Sequence, residues 1–317
     1  MDDFRKIIKF GKSSFVISLP NAWIKKNKLN KGDTISLAEN LNSELILSLK
    51  PGDKDDEKTS KLILVDGKDI SRVKREIIAS YLNNYNTITL KGKDMDKYNS
   101  IIRQTVQNLM AMEIIEENYE TIVAKDFISL DEVIIEEMIR KIDNITRSMI
   151  EDIPQILNKD ISKNIVQRDD QVNRMTFLVI RAMKQTLRHP QLTNKKNRMS
   201  LTKIIDLWEV IFHIEKIADF LKRIARNMSR VKQKKDILKD ILVLYGKIKE
   251  FYWDTMKAYY NQDDKIALEL SGHKRSLSDE CNKLHEKYWR IRYLPIIIED
   301  CKNVISAVHN IGRRTYS

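Results

Sequence analysis

Ile211-Phe-His-Ile-Glu-Lys-Ile-Ala-Asp-Phe-Leu-Lys-Arg-Ile-Ala225 sets apolar residues three and four positions apart, and the stripe extends through Ile204, Trp208, Ile211, Ile214, Ala218, Leu221, Ala225 and Met228. This spacing predicts one long amphipathic helix over 199–230 with the stripe turned inward. The same period persists outward from it. From Leu130 onward it predicts six helical segments, 130–157, 160–188, 199–230, 233–261, 264–291 and 295–314, broken at Pro154, His189-Pro190 and Leu294-Pro295. Six antiparallel helices with short loops form one large bundle or two three-helix bundles. Asp169 and Asn173 in the second segment correspond in place to Ser278 and Asn282 in the fifth. Glu215 and Asp219 in the third correspond to Glu299 and Asn303 in the sixth. The correspondence argues for duplication, with repeats at 130–230 and 233–317.

Toward the N-terminus the period changes. Residues 61–127 alternate: a buried strand at Leu62–Val65, a helix at Ser71–Tyr85, a strand at Thr87–Leu90, a helix at Asp94–Met110 and a hairpin turning at Asn118. They read as a small α/β connector. Pro51 to Ser60 is polar and rich in breakers, as a linker is. Residues 1–50 read as short strands, Arg5–Lys9, Phe15–Leu19, Thr34–Leu37 and Glu44–Leu49, around one short helix that Pro20 opens. The fold class expected is thus α+β and multidomain: a β-rich head (1–50), an α/β connector (61–127) and an all-α region (130–317).

The 317 residues carry 57 Lys and Arg against 45 Asp and Glu, a net charge of +12. Such an excess favours an acidic partner, with nucleic acid first among them. Two cysteines, Cys281 and Cys301, make neither a disulfide framework nor a zinc motif. No apolar run approaches the roughly 20 residues that span a bilayer, and the acidic start lacks a signal peptide, so the expected location is cytoplasmic. Gly11-Lys12-Ser13 is not a phosphate-binding loop, since position 6 is Lys6 rather than glycine and a strand follows instead of a helix. His189, His213, His273, His285 and His309 form no ligand pair and accompany no nucleophile, so no enzyme is expected. His213 stands near Glu215, where it could join a metal site or lie capped at the surface.

Arg5-Lys-Ile-Ile-Lys-Phe-Gly-Lys12, Val16-Ile-Ser-Leu-Pro20 and Lys31-Gly-Asp33-Thr-Ile-Ser-Leu together resemble the SpoVT/AbrB/MazE swapped-hairpin family. The resemblance implies a homodimer in which two chains complete one small barrel, with basic residues on one face binding DNA. The matching positions are Arg5, Lys6, Lys9 and Lys12 on the first strand and turn, and Lys25 and Lys26 on the helix. Lysines suit phosphate contact rather than base readout. A head that only dimerises, kept soluble by these lysines, is the other reading.

Arg168-Asp-Asp-Gln-Val-Asn-Arg-Met-Thr-Phe-Leu-Val-Ile-Arg181 and His213-Ile-Glu-Lys-Ile-Ala-Asp-Phe-Leu-Lys-Arg-Ile-Ala225 resemble the PhoU family, and the order of segments resembles archaeal PhoU regulators with an AbrB-like start. The resemblance implies tandem three-helix bundles, (Glu/Asp)-x-x-x-Asp pairs that bind metal, and regulation of phosphate uptake through a phosphate transporter or a signalling partner. Carboxylates at i and i+4 share a helix face and can share a cation. No cofactor is certain from these residues; a divalent or ferric ion at Glu215 and Asp219, with Asp169 and Asp170, is the reading the resemblance adds. Against it, the other three pairs keep Asn or Ser at one position or both, and a bland reading makes these acids partners of Lys216 and Arg174. Two basic clusters remain: Arg181, Lys184, Arg188, Lys195, Lys196 and Arg198, and Lys222, Arg223, Arg226, Arg230, Lys232, Lys234 and Lys235. They serve helix C-termini or dock an acidic or phosphate-rich partner.

Overall fold

The computed structural model describes residues 4–39, 45–49, 60–159, 161–188, 197, 199–231 and 233–316. The chain divides into two compact units, Met1–Glu57 and Lys58–Ser317. In the first, strands β1 (Ile8–Phe10) and β2 (Ser14–Val16) pair antiparallel with Ile8 opposite Val16. Gly11 takes a φ of 70° in their turn, a backbone region that favours glycine. Helix α1 (Asn21–Lys26) follows Pro20, and β3 (Ile35–Glu39) pairs antiparallel with β4 (Leu45–Leu49). Two separate two-stranded ladders cannot enclose a core. Accordingly, no described side chain of this unit is buried; Phe10 and Phe15 are each 68% exposed.

The second unit opens with a four-stranded sheet in the order β5-β6-β8-β7 (Ser60–Leu64, Thr87–Lys91, Thr121–Asp126, Met112–Glu117). Strands β5 and β6 are parallel, joined through α2 (Ile70–Leu82), while β6–β8 and β8–β7 are antiparallel. Asp69 caps α2 by accepting from Arg72 N at 2.8 Å. Val73, Ile77 and Tyr81 on α2, and Tyr98, Ile102 and Val106 on α3 (Asp96–Gln107), cover Ile63, Ile88, Leu90, Ile122 and Ala124 of the sheet. Alternation along each strand puts these residues on one face. Gly92 lies so close to Val65 that a Cβ would come within 2.5 Å of Val65 Cγ2.

Seven helices complete the unit: α4 (Ile135–Asp152), α5 (Ser162–Arg188), α6 (Leu201–Arg230), α7 (Lys235–Asn261), α8 (Asp264–Ser271), α9 (His273–Tyr288) and α10 (Leu294–Tyr316). Pro154, lacking an N–H, turns the end of α4 into a 3-10 segment at Ile153–Leu157. Ser200 caps α6 and Asp263 caps α8, and Gln262 closes α7 in the left-handed conformation. Helices α4, α5 and α6 pack together, as do α7, α8, α9 and α10, and α6 lies along α10. A single apolar cluster runs through all seven. Packing of α2 against α5 joins the sheet layer to the helices.

Two expectations need correction. The segment 264–291 is not one helix; it divides at Gly272, a weak helix former, into α8 and α9. Trp208 does not belong to the buried stripe of α6 and is 41% exposed. Helix α6 is contacted by α4, α5 and α10, so its buried arc is wide and takes in Leu207, Val210, Ile217 and Ile224, with Trp208 at its rim.

Candidate functional site

Helices α5 and α6 bring the acidic residues together. Asp169 is buried on the α5 face that meets α6, one turn before Asn173, whose Nδ2 donates to Asp169 Oδ2 at 3.3 Å. From α6, Lys222 reaches across and donates to Asp169 Oδ2 at 2.5 Å and to Asp219 Oδ1 at 2.7 Å. Lys216 lies 3.4 Å from Glu215 Oε2 and 3.8 Å from Asp219 Oδ2. Burial pushes the Asp169 and Glu215 carboxyls up. It pulls Lys222 down, but the hydrogen bonds it donates to Asp169 and Asp219 outweigh this and hold its ammonium charged. Asp169 Oδ1 has no hydrogen-bond partner.

This geometry places a lysine among the carboxylates named as metal candidates. Asp170 is exposed and does not join Glu215, Asp219 and Asp169. Between Asp169 and Asp219, where a shared cation would sit, stands the ammonium of Lys222, and a divalent ion there would meet a like charge. Among the described residues no three His, Cys, Asp or Glu side chains are grouped to hold a metal, His213 included.

In the second half, the buried acid lies one residue beyond Glu299, the position that corresponds to Glu215. Glu299 is exposed, whereas Asp300 on α10 is 0% exposed. Arg223 Nη2 approaches Asp300 Oδ1 at 2.9 Å, yet neither carboxylate oxygen makes a hydrogen bond of acceptable angle. Burial raises the Asp300 carboxyl to about 6. Both thiols are likewise held protonated by burial, Cys281 pushed up to about 12 and Cys301 also raised well above the ordinary thiol value, which makes them inert as nucleophiles.

The first basic cluster is not a docking surface throughout. Arg181 is 1% exposed and forms an ion pair with Asp126 at the end of β8. Its Nε donates to Asn84 Oδ1 at 3.0 Å and its guanidinium lies 4.0 Å from the centroid of the Tyr81 ring. Lys184 donates to Leu82 O at 2.9 Å. Thus α5 is bolted to α2 and the sheet through two cations that read as surface charges in the sequence. Arg188 is exposed; Lys195, Lys196 and Arg198, with Lys232 of the second cluster, lie outside the described residues.

In the first unit, Arg5 and Lys6 precede β1, Lys9 is on it, Lys12 is in the turn, and Lys25 and Lys26 end α1; all six are exposed. No described carboxylate pairs with Lys6, Lys9, Lys12, Lys25 or Lys26.

Residues 135–228, which are α4 to α6, match the PhoU domain family. The crystal structure of PhoU from Pseudomonas aeruginosa is similar over 57% of this chain and 90% of that one, at 12% identity and a TM-score of 0.46. Among curated proteins none matches. Among the described residues no helix is long and apolar enough to cross a membrane.

Proposed function

We propose that the chain is a cytoplasmic, non-enzymatic regulator of phosphate homeostasis that dimerises through its N-terminal unit and binds DNA there, while its helices sense or dock. The PhoU-domain match over α4–α6 supports the link to phosphate uptake. The observation that carries the head's role is its surface: apolar Ile7, Phe10 and Phe15 are exposed beside Lys6, Lys9 and Lys12, which pair with no carboxylate among the described residues. A second chain would cover the former, in a swapped-hairpin barrel, and phosphates would neutralise the latter. A change in the helices that differs between two states of a transporter or signalling partner would shift DNA occupancy.

Gel shifts with the upstream DNA of a phosphate-transport operon test this reading. Wild type binds at low salt and weakens steeply as salt rises; Lys6→Glu with Lys12→Glu abolishes the shift while the dimer persists. No shift at low salt refutes DNA binding. It would leave the second reading, a dimeric adaptor acting by protein contact alone. The bare stripe Leu201, Ile205, Trp208 and Phe212 along α6 favours that alternative, because exposed apolar runs at helical spacing mark protein contacts.

A further inference from the structure

The end of α6 and the turn between α9 and α10 carry a concentration of arginine and aromatic side chains that neither the head nor the acidic face uses. Helix α6 ends with Arg226 and Arg230 exposed on one side, one turn apart. The turn Trp289-Arg-Ile-Arg-Tyr293 lies against this end: the Arg230 guanidinium is 5.0 Å, and that of Arg292 4.9 Å, from the Tyr293 ring centroid. Arg290 lies 4.8 Å from the ring of Trp289, which is 56% exposed. Among the described residues none of these four arginines pairs with a carboxylate, whereas Arg147, Arg168, Arg223 and Arg314 elsewhere in the helices each do. Tyr293 has a φ of 72°, a conformation that costs a bulky side chain energy and fixes the ring where two guanidinium groups meet it.

We infer that this end of the helical unit is a docking surface for an acidic segment of a partner protein. Arg230, Arg290 and Arg292 each lie near an aromatic ring, and Arg230 Nη1 also donates to Asn227 Oδ1 at 3.3 Å; a guanidinium held in this way keeps N–H groups with which to grip a carboxylate. Trp, Tyr and Arg are the side chains that dominate protein–protein binding energy, and the strained turn holds them in place before the partner arrives, which lowers the cost of association. The Tyr293 and Trp289 rings already carry guanidinium groups, so they are poor platforms for stacking nucleobases. The inference does not depend on DNA binding by the head.

The full-length chain is titrated against a fluorescein-labelled peptide of alternating Glu, Asp and Leu by fluorescence anisotropy, beside a single-stranded oligonucleotide and vesicles containing phosphatidylserine. Wild type binds the peptide more tightly than either alternative. Arg290→Glu with Arg292→Glu weakens peptide binding at least about tenfold, and Trp289→Ala, on an exposed side chain, weakens it without changing the melting temperature. DNA gel shifts by both variants match wild type, which separates this surface from the head. No peptide binding, binding unaffected by the substitutions, or tighter binding to the oligonucleotide or vesicles overturns the inference.

Discussion

In residues 4–39 the rings of Phe10 and Phe15 face water, while in residues 60–316 side chains as large as Tyr245 and Tyr252 are wholly enclosed and even an arginine is buried. The two regions differ in how much chain is available to fold back on itself. Two isolated hairpins have one apolar face each and nothing to lay against it. Helices α4 to α10 have many and share one apolar cluster, and the sheet shares a second with α2 and α3. With cores of its own, the larger unit can bury charged groups: Arg181 with Asp126, and Asp169 against the half-buried Lys222. Its stability belongs to the chain. That of the head, on the proposal above, depends on a second chain.

The largest test of this contrast is all-or-none. Phe10→Asp with Phe15→Asp places charge on the head's apolar face; light scattering then reports half the wild-type mass, while the melting of the helical unit is unchanged. Unchanged mass would mean that the head does not pair. Next comes Arg181→Ala, which strands the Asp126 carboxylate beside an emptied site. Breaking a buried pair costs about 3–5 kcal/mol, read by urea unfolding, and Arg181→Met with Asp126→Asn regains much of it. A loss below about 1 kcal/mol would place the pair in water after all.

The smallest effect concerns Asp300. Its carboxyl, raised from 3.8 to about 6, takes up a proton in the folded chain at a pH where the unfolded chain does not. Stability therefore rises as pH falls through about 6 toward 4 from this group, and is lost again as pH rises. Asp300→Asn flattens that part of the profile and raises the melting temperature at pH 7 more than at pH 5. An unaltered pH profile would show that Arg223 keeps Asp300 ionised.

The helices were legible because period 3.6 survives wherever a helix has one buried face, and α5 and α7 begin and end within a few residues of their expected places. Trp208 was misread because α6 has three helical neighbours, and a broad buried arc has no sharp edge in sequence. The buried charges were not legible at all. Arg181 stands in a run of cations, and its partners Asn84 and Asp126 come from distant segments. Lys222 was grouped with its basic neighbours, although one turn of helix carries it to Asp219 and the α5–α6 contact to Asp169. Asp300 was passed over because the i, i+4 pattern pointed to Glu299 and Asn303; the apolar neighbours Ile297, Cys301 and Val304 were the signal that its own position turns inward.

Helix α5 is unbroken from Ser162 to Arg188. It holds Lys222 at Asp169 and, about 18 Å further along its axis at 1.5 Å per residue, grips the β-sheet through Arg181. One continuous helix thus anchors both the Lys222–Asp169 contact and the Arg181–Asp126 contact, so a substitution that breaks α5 between them would uncouple the placement of the two.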